Sequence, residues 1–169
     1  MSTTARLVDL RPGSAADLVA VGEIMRAAFD PRFGEAWTVN QCLGMLSLPG
    51  VWLTLAYDGE VLTGFALARA VAGDGELLLL AVRPERRTRG VGAALLRSVI
   101  VDARDRGASR LHLEVRAENS AIALYRAHDF AKVGERRGYY RGITGQSFDA
   151  YTYARELSSP EPDQESCEG

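Results

Sequence analysis

The feature that most constrains this chain is a basic, glycine-containing turn between a candidate strand and a candidate helix. The turn reads Arg-Arg-Thr-Arg-Gly-Val-Gly-Ala over residues 86–93, after an apolar run at residues 77–82 and before a helical segment that opens at Ala93. Glycines let a backbone approach a ligand closely, and the free N–H groups at a helix start attract anions. The pattern therefore predicts a site for a phosphorylated ligand.

Two familiar phosphate-binding patterns do not match this turn. The loop of nucleoside triphosphatases requires a Gly-Lys pair, and the sequence contains none. The dinucleotide fingerprint G-x-G-x-x-G/A requires Gly or Ala where Leu95 stands. What remains is R-x-x-G-x-G, formed by Arg87, Gly90 and Gly92. By itself this short pattern also allows a purely structural turn.

The predicted elements follow the order β-α-α-β-β-β-α-β-α-β-β. Hydrophobic periodicity and turn residues place them, and Thr38 with Gln41 forms a capping-box pattern at the second helix. A starting helical hairpin, a meander of strands and final αβαβ elements indicate an α+β fold with a mixed, mostly antiparallel central sheet flanked by helices. Strands are predicted at residues 6–10, 51–57, 61–71, 76–82, 111–115, 131–135 and 148–155. Turns are predicted at residues 12–14 and 74–75. A short helix is predicted at residues 120–128, and a loop rich in Arg and Tyr is predicted after residue 135.

Length and composition predict one domain. A chain of 169 residues with 47% hydrophobic content can bury one sizeable core, which we place at residues 1–157, followed by a disordered acidic tail at residues 158–169. A net charge of −2 gives no global field toward nucleic acid or membranes, so neither partner is expected. The only cysteines, Cys42 and Cys167, and the two histidines suggest no metal site. We expect a cytoplasmic monomer or dimer.

A second motif lies downstream of the turn. It reads L-E-V-R over residues 113–116, followed by Asn119 and by A-L-Y over residues 123–125. Together with the turn, it resembles the GNAT superfamily of acyl-CoA-dependent N-acetyltransferases, and within it the bacterial ribosomal-protein-alanine N-acetyltransferases. The resemblance covers roughly residues 4–157 and implies the GNAT fold. Further matches are Leu80-Ala81-Val82-x-Pro84, Arg136-Arg137-x-Tyr139-Tyr140 and Asp149-Ala150.

The resemblance also implies acetyl-CoA as co-substrate and a role for each matching residue. Glu114 would be the general base, and Tyr125 would protonate the departing thiolate. Trp37, Tyr139 and Tyr140 would contact the acceptor. Acetyl-CoA would be held by the strand before the turn, by the turn itself and by one amide side chain: Leu80, Ala81, Val82, Arg87, Thr88, Arg89, Gly90, Val91, Gly92, Ala93 and Asn119.

The chemistry of acetyl transfer explains these residue types. A protein α-amine has a pKa of about 7.7–8.0, and only its neutral form attacks a thioester, so a carboxylate that removes a proton assists the reaction. A covalent enzyme intermediate is not required, which agrees with the lack of a candidate nucleophilic cysteine. We therefore expect direct transfer in a ternary complex. Glu76, at the start of the strand before the turn, is an alternative base.

Two departures from the family pattern concern the second motif. The segment between Asn119 and Tyr125 is one residue shorter than usual, and one residue rotates a helix by about 100°. Either the helix starts later, or these two residues cannot both keep their roles. Asp129 stands where the family has Gly before Phe130, and Asp tolerates the left-handed conformation better than most residues.

Three functions are consistent with the sequence. The favoured one is acetylation of a protein N-terminal α-amine, with a small-subunit ribosomal protein that begins with alanine as the target. A second is acetylation of a small amine, such as a polyamine, an amino acid or an aminoglycoside. A third is a non-catalytic acetyl-CoA-binding module.

Overall fold

The structure is a computed structural model, and it describes residues 7–157. Its strands are β1 (Asp9–Gly13), β2 (Val51–Asp58), β3 (Val61–Val71), β4 (Asp74–Val82), β5 (Arg110–Arg116), β6 (Ala131–Arg141) and β7 (Ser147–Glu156). Its α-helices are α1 (Leu18–Ala28), α2 (Val39–Leu46), α3 (Val91–Asp105) and α4 (Ile122–Ala127). The predicted tail and the first six residues of the predicted domain lie outside the described residues, so those two predictions stay predictions.

The strands form one sheet in the order β1-β2-β3-β4-β5-β7-β6. Every neighbouring pair is antiparallel except β4 and β5, which run parallel and are connected through α3. The predicted α+β class and the predicted order of elements are therefore confirmed, as is the capping box of α2, where the Gln41 N–H donates to Thr38 Oγ1 at 3.1 Å.

The sheet buries a hydrophobic core on each face. Residues of α3 pack on one face with Tyr125, whereas residues of α1 pack on the other face with Phe65. An irregularity in the pairing of β3 with β4 allows β4 to serve both cores, because Leu77 lies in the first core and Leu79 in the second. Helices thus cover both sides of β4.

Strands β4 and β5 pair only at their beginning. The register joins Asp74, Gly75 and Glu76 to residues 110–112, and no pair follows. Beyond Glu76 the two strands separate, and the edge of β4 that faces β5 lacks a strand partner. The separation opens a groove in the middle of the sheet that leads to the start of α3.

Two predicted boundaries near hairpins were wrong. The first strand is Asp9–Gly13 and runs through Pro12, which is tolerated because β1 is an edge strand and proline has no N–H to donate. The turn before β4 is formed by Ala72 and Gly73, with φ of 50° and 82°, so Asp74 and Gly75 belong to the strand. Two consecutive left-handed residues provide the tight reversal.

Strand β6 is longer than predicted, and α4 is shorter, since it spans Ile122–Ala127 and not residues 120–128. β6 continues to Arg141, so Tyr139 and Tyr140 lie on a strand and not on the predicted loop. Its register shifts between Lys132 and Gly134 and again before Tyr140, and most of its side chains are exposed. An exposed, irregular edge strand has no clean alternation of polar and apolar residues, which hid it from the sequence pattern.

Candidate active site

The groove between β4 and β5 contains a cavity of about 720 Å³. Its walls come from β4, the glycine turn, the segment between α1 and α2, β5, α4 and β6. Every predicted site residue except Arg89 lines this cavity, including the alternative base Glu76. Arg89 is exposed on the outer side of the turn. The residues predicted from separate motifs are therefore brought together around one cavity.

The glycine turn presents the open start of α3 to this cavity. Thr88 and Gly90 have φ of 65° and 80°, and Gly90 caps the helix without any side-chain hydrogen bond. The first N–H groups of a helix have no acceptor inside the helix, and they carry partial positive charge. Arg87 braces the turn, because its Nη2 donates to the Ala28 carbonyl at 2.9 Å. This arrangement suits a diphosphate.

The free edge of β4 continues the site away from the turn. Leu80, Ala81 and Val82 line the cavity and pair with β3 on their other side. Their edge toward β5 presents backbone donors and acceptors to the groove, because the β4–β5 pairing ends at Glu76. An extended amide-containing chain can lie there as an added strand would. A pantetheine arm has that character.

Glu114 projects from β5 and is held by two neighbours. Thr152 Oγ1 donates to its carboxylate at 2.8 and 3.0 Å, and Arg136 Nε lies 3.1 Å from Oε1. The side chain is 12% exposed, and it borders both the main cavity and a polar cavity of about 300 Å³ beside it. Glu76 borders the same two cavities, and Arg69 Nη2 donates to it at 2.6 Å.

Tyr125 is a buried phenol at the cavity wall. Its ring packs edge-on against Phe130, with 6.0 Å between the centroids. Burial, together with the negative charge of Glu35, raises the pKa of Tyr125 far above its usual value. The hydroxyl therefore keeps its proton throughout the neutral range and can donate it.

The late start of α4 resolves the shortened spacing between Asn119 and Tyr125. The helix begins at Ile122, which lets both residues line the same cavity. Asn119 does not cap the helix itself. Its Oδ1 accepts from the Ala121 N–H at 2.8 Å, in the turn before the helix. Asp129 adopts the left-handed conformation, with φ of 65°, in place of the family's glycine.

Aromatic residues surround the acceptor end of the cavity, which is the end where the sequence predicts contacts with the acceptor. Trp37 and Phe33 come from the segment between α1 and α2, and Tyr139 and Tyr140 come from β6. The Tyr140 hydroxyl donates to the Glu114 carbonyl at 3.2 Å, which ties β6 to β5 at this end. Burial is the main cause that raises the pKa of Tyr140, and the charge of Glu35 adds to it.

Glu35 is a cavity residue that the sequence did not reveal. Its Oε1 accepts from Asn119 Nδ2 at 2.8 Å and lies 3.4 Å from Arg116 Nε. It belongs to no motif, and the only available signal was an acidic residue in an aromatic segment between Phe33 and Trp37.

Neither histidine has the surroundings of a metal ligand. His112 Nδ1 lies 3.4 Å from Asp74, and His128 Nδ1 lies 2.9 Å from the Leu124 carbonyl. Within residues 7–157, no group of three or more His, Cys, Asp or Glu side chains could hold a metal ion. In the same range, no helix has the length and apolar character needed to cross a membrane.

Comparisons with known proteins support the sequence resemblance. The profile of the Acetyltransferase (GNAT) family matches residues 18–130. The chain is 38% identical over 146 residues to the ribosomal protein bS18-alanine N-acetyltransferase of Salmonella typhimurium, a match that covers 86% of this chain and 95% of that relative. It is 39% identical over 110 residues to N-alpha-acetyltransferase RimI of Mycobacterium tuberculosis, over 62% of this chain and 66% of that relative.

Solved structures show the same fold. The ribosomal-protein-S18-alanine N-acetyltransferase of Escherichia coli superposes with a TM-score of 0.80 at 28% identity, over 93% of this chain and 98% of that chain. Arabidopsis thaliana NAA60 in complex with a bisubstrate analogue superposes with a TM-score of 0.78 at 23% identity, over 91% of this chain and 100% of that chain. At this identity the similarity shows a shared fold.

Proposed function

Because this chain belongs to the GNAT family of acyl-CoA-dependent N-acetyltransferases, we propose that it transfers the acetyl group of acetyl-CoA to the N-terminal α-amine of a protein. The observation that carries the proposal is the convergence around one cavity of an open helix start, a free strand edge, a carboxylate and a phenol. The target we propose is a small-subunit ribosomal protein that begins with alanine, since similar bacterial enzymes carry that activity in their names.

The glycine turn and β4 would position acetyl-CoA. The first N–H groups of α3 would hold the diphosphate, with Arg87 keeping the turn against α1. The edge of β4 at residues 80–82 would pair with the pantetheine amides, and Asn119 would contact the arm from the opposite wall. Acetyl-CoA supplies the activated acetyl group, whose carbonyl carbon would lie between β4 and β5.

Glu114 and Tyr125 would manage the protons of the reaction. Glu114 would take a proton from the acceptor ammonium, directly or through a water, so that the neutral nitrogen can form the new N–C bond. As the C–S bond of the tetrahedral adduct breaks, Tyr125 would give its proton to the sulfur. The nitrogen would release its second proton to water, and the phenolate would regain a proton from solvent, so that the products are the amide, free coenzyme A thiol and one proton. Thr152 and Arg136 would orient the Glu114 carboxylate by their hydrogen bond and ion pair.

A panel of acceptors tests the proposal. The full chain is incubated with acetyl-CoA and hexapeptides that begin with alanine, serine, glycine or methionine, or with small amines of the polyamine, amino-acid and aminoglycoside classes. Release of free thiol reports turnover, and mass spectrometry locates the acetyl group. We expect turnover of the alanine peptide at its α-amine.

Two outcomes would contradict the proposal. Turnover of small amines alone would make the chain a small-molecule acetyltransferase. Binding of acetyl-CoA without turnover of any acceptor would make it a binding module, which the alignment of Glu114 and Tyr125 on one cavity argues against.

A further inference from the structure

Glu35 is a buried carboxylate for which the proposed transfer chemistry has no role. It lies between α1 and α2, lines the main cavity, and leaves only 9% of its side chain exposed. Removing a charged group from water is costly unless partners compensate for it. The position of those partners therefore indicates what the carboxylate is for.

The partners of Glu35 occupy one of its two oxygens. Asn119 donates to Oε1 at 2.8 Å, and Arg116 Nε lies 3.4 Å from the same atom. The Arg116 guanidinium stacks on Phe33, 3.8 Å from the ring centroid. Its Nη1 donates a hydrogen bond to the Ala117 carbonyl. Within residues 7–157 no side chain or backbone group donates to Glu35 Oε2, so this oxygen is available to a ligand in the cavity.

The other carboxylates of the cavity wall are more fully engaged. Thr152 contacts both oxygens of Glu114, and Arg136 adds an ion pair. Arg69 donates to Glu76 at 2.6 Å. Glu76 is 24% exposed, and its other oxygen lies 4.0 Å from His112 Nε2. Glu35 is therefore the most buried of the three carboxylates, and within residues 7–157 its Oε2 accepts no hydrogen bond.

The surroundings of Glu35 suit an ammonium group. Glu35 lines the same cavity as Tyr125 and Tyr140, and its negative charge opposes ionisation of both phenols. The Tyr140 hydroxyl donates a hydrogen bond to the Glu114 carbonyl, so the lone pairs of the Tyr140 oxygen remain available as acceptors. An ammonium has three N–H donors and no acceptor. Glu35 Oε2 and the Tyr140 oxygen would offer it two acceptors on the wall of one cavity.

From this geometry we propose that Glu35 binds the cationic α-amine of the acceptor before Glu114 removes its proton. The inference rests on the proposed function and assigns Glu35 as a residue that selects acceptors by a charged N-terminus. Arg116 already balances the carboxylate charge from one side, and the α-amine, mostly protonated at neutral pH, would add a second cationic partner from inside the cavity.

Paired peptides test this role without turnover. The full chain is saturated with coenzyme A, and calorimetry measures the Kd of the alanine hexapeptide and of the same peptide with a propionyl group in place of alanyl, which lacks only the amine. A charge-assisted hydrogen bond is worth about 10- to 100-fold in affinity. We expect the wild type to prefer the amino peptide by about that factor.

Variants of Glu35 then show whether its carboxylate causes the preference for the amino peptide. Glu35→Gln keeps an oxygen for Asn119 but loses the charge, and it should bring the two Kd values within about threefold of each other. Glu35→Asp keeps the charge and should retain part of the preference. Glu23→Gln removes a charge from the exposed face of α1 and should leave the preference unchanged.

Three results would overturn the inference. The wild type could bind the amino peptide and the propionyl peptide with equal Kd, a result that is measured without any variant. Glu35→Gln could keep the full preference, or it could weaken both peptides equally, as a residue that only holds the α1–α2 segment would do. Each result leaves the proposed function intact if the wild type still acetylates the alanine peptide, whereas absence of peptide turnover would reject that function itself.

Discussion

The proposed role of Tyr125 as proton donor requires a hydroxyl that keeps its proton, and the surroundings of Tyr125 favour that state. Its ring is buried against Phe130, and Glu35 places a negative charge nearby, so ionisation of the phenol is opposed twice. A thiolate that forms beside this hydroxyl meets a protonated group at any physiological pH. The same residues that pack α4 onto the sheet thus also set the protonation state of the site.

Tyr125→Phe should lower kcat for the alanine peptide by about 10²-fold, because it removes the hydroxyl proton and preserves the packed ring. The Kd of acetyl-CoA should change by less than about threefold. Steady-state kinetics and calorimetry measure the two quantities. Tyr57→Phe, on β2 and away from the cavity lining, is the matched control and should keep more than half of the activity. Full activity of Tyr125→Phe across pH would remove the phenol from the mechanism.

At the residue scale, the sequence predicted the motif residues and missed Glu35. Glu114, Asn119 and Tyr125 stand in a recognisable spacing within one stretch of chain. Glu35 acquires its importance from contacts with Asn119 and Arg116, which are more than 80 residues away in the chain. A local pattern cannot report a contact of that kind, because the fold creates it.

At the scale of elements, the start of α3 depends on one backbone conformation. Gly90 has φ of 80°, and an added Cβ would meet no atom within 4 Å, so the obstacle to substitution is conformational strain and not crowding. A β-branched residue would pull the turn out of the left-handed region. The N–H groups that follow would then lose their common direction.

Gly90→Val should therefore weaken acetyl-CoA binding by about tenfold or more, which the strain of about 1–2 kcal/mol would account for. Calorimetry with acetyl-CoA measures the effect. Gly107→Val is the matched control, since Gly107 follows the other end of α3 with φ of 88° and open space around it. It should reduce stability by a similar amount and leave the Kd unchanged. Equal loss of binding in both variants would argue against the turn as the diphosphate site.

The segment between α1 and α2 is pressed against the turn between β6 and β7. A Cβ on Gly142 would lie 1.8 Å from the Arg32 carbonyl oxygen, and one on Gly34 would lie 2.0 Å from the Arg141 carbonyl oxygen. Such close backbone contact allows only glycine at both positions. It fixes the segment that carries Glu35 and Trp37 to the acceptor end of the cavity.

Gly142→Ala should displace this segment and lower kcat/KM for the alanine peptide by about 10- to 100-fold. The Kd of acetyl-CoA should stay nearly constant, because β4 and the start of α3 line the cavity whereas Gly142 does not. Gly44→Ala, in α2 with no atom within 4 Å of the added Cβ, is the control and should keep normal kinetics. If Gly142→Ala impaired acetyl-CoA binding as strongly as acceptor use, the segment would not be specific to the acceptor.

Over the whole molecule, the order of elements could be read from the sequence, whereas the groove could not. Periodicity and turn residues depend on near neighbours, and they predicted the strands that form the sheet. The separation of β4 from β5 after Glu76 involves strands that are distant in the chain and is a property of the assembled fold. The cavity between the two strands, with the phenols and the carboxylate that line it, follows from that separation.

The buried phenol of Tyr125 and the half-buried phenol of Tyr140 make the stability of the whole fold sensitive to alkaline pH. The pKa values of Tyr125 and Tyr140 are raised, mainly by burial, so the native state holds two protons that the unfolded chain releases above about pH 10. The native state then binds more protons than the unfolded state, and the free energy of unfolding falls as pH rises. Below about pH 10 both states keep these protons, and the contribution is fully present.

We therefore expect the melting temperature to drop steeply above about pH 10, with the free energy of unfolding falling by up to about 1.4 kcal/mol per pH unit for each phenol. Thermal unfolding followed by circular dichroism between about pH 8 and pH 11.5 measures the drop. Tyr125→Phe and Tyr140→Phe should each make it shallower, and the double variant more so, because phenylalanine has no proton to lose. Tyr139→Phe removes an exposed phenol and should leave the slope as in the wild type. If the double variant lost stability as steeply as the wild type, the alkaline transition would have to come from other groups, such as the buried Cys42 thiol, whose pKa is also raised by burial. The two phenols would then not be held protonated by their surroundings at this cavity.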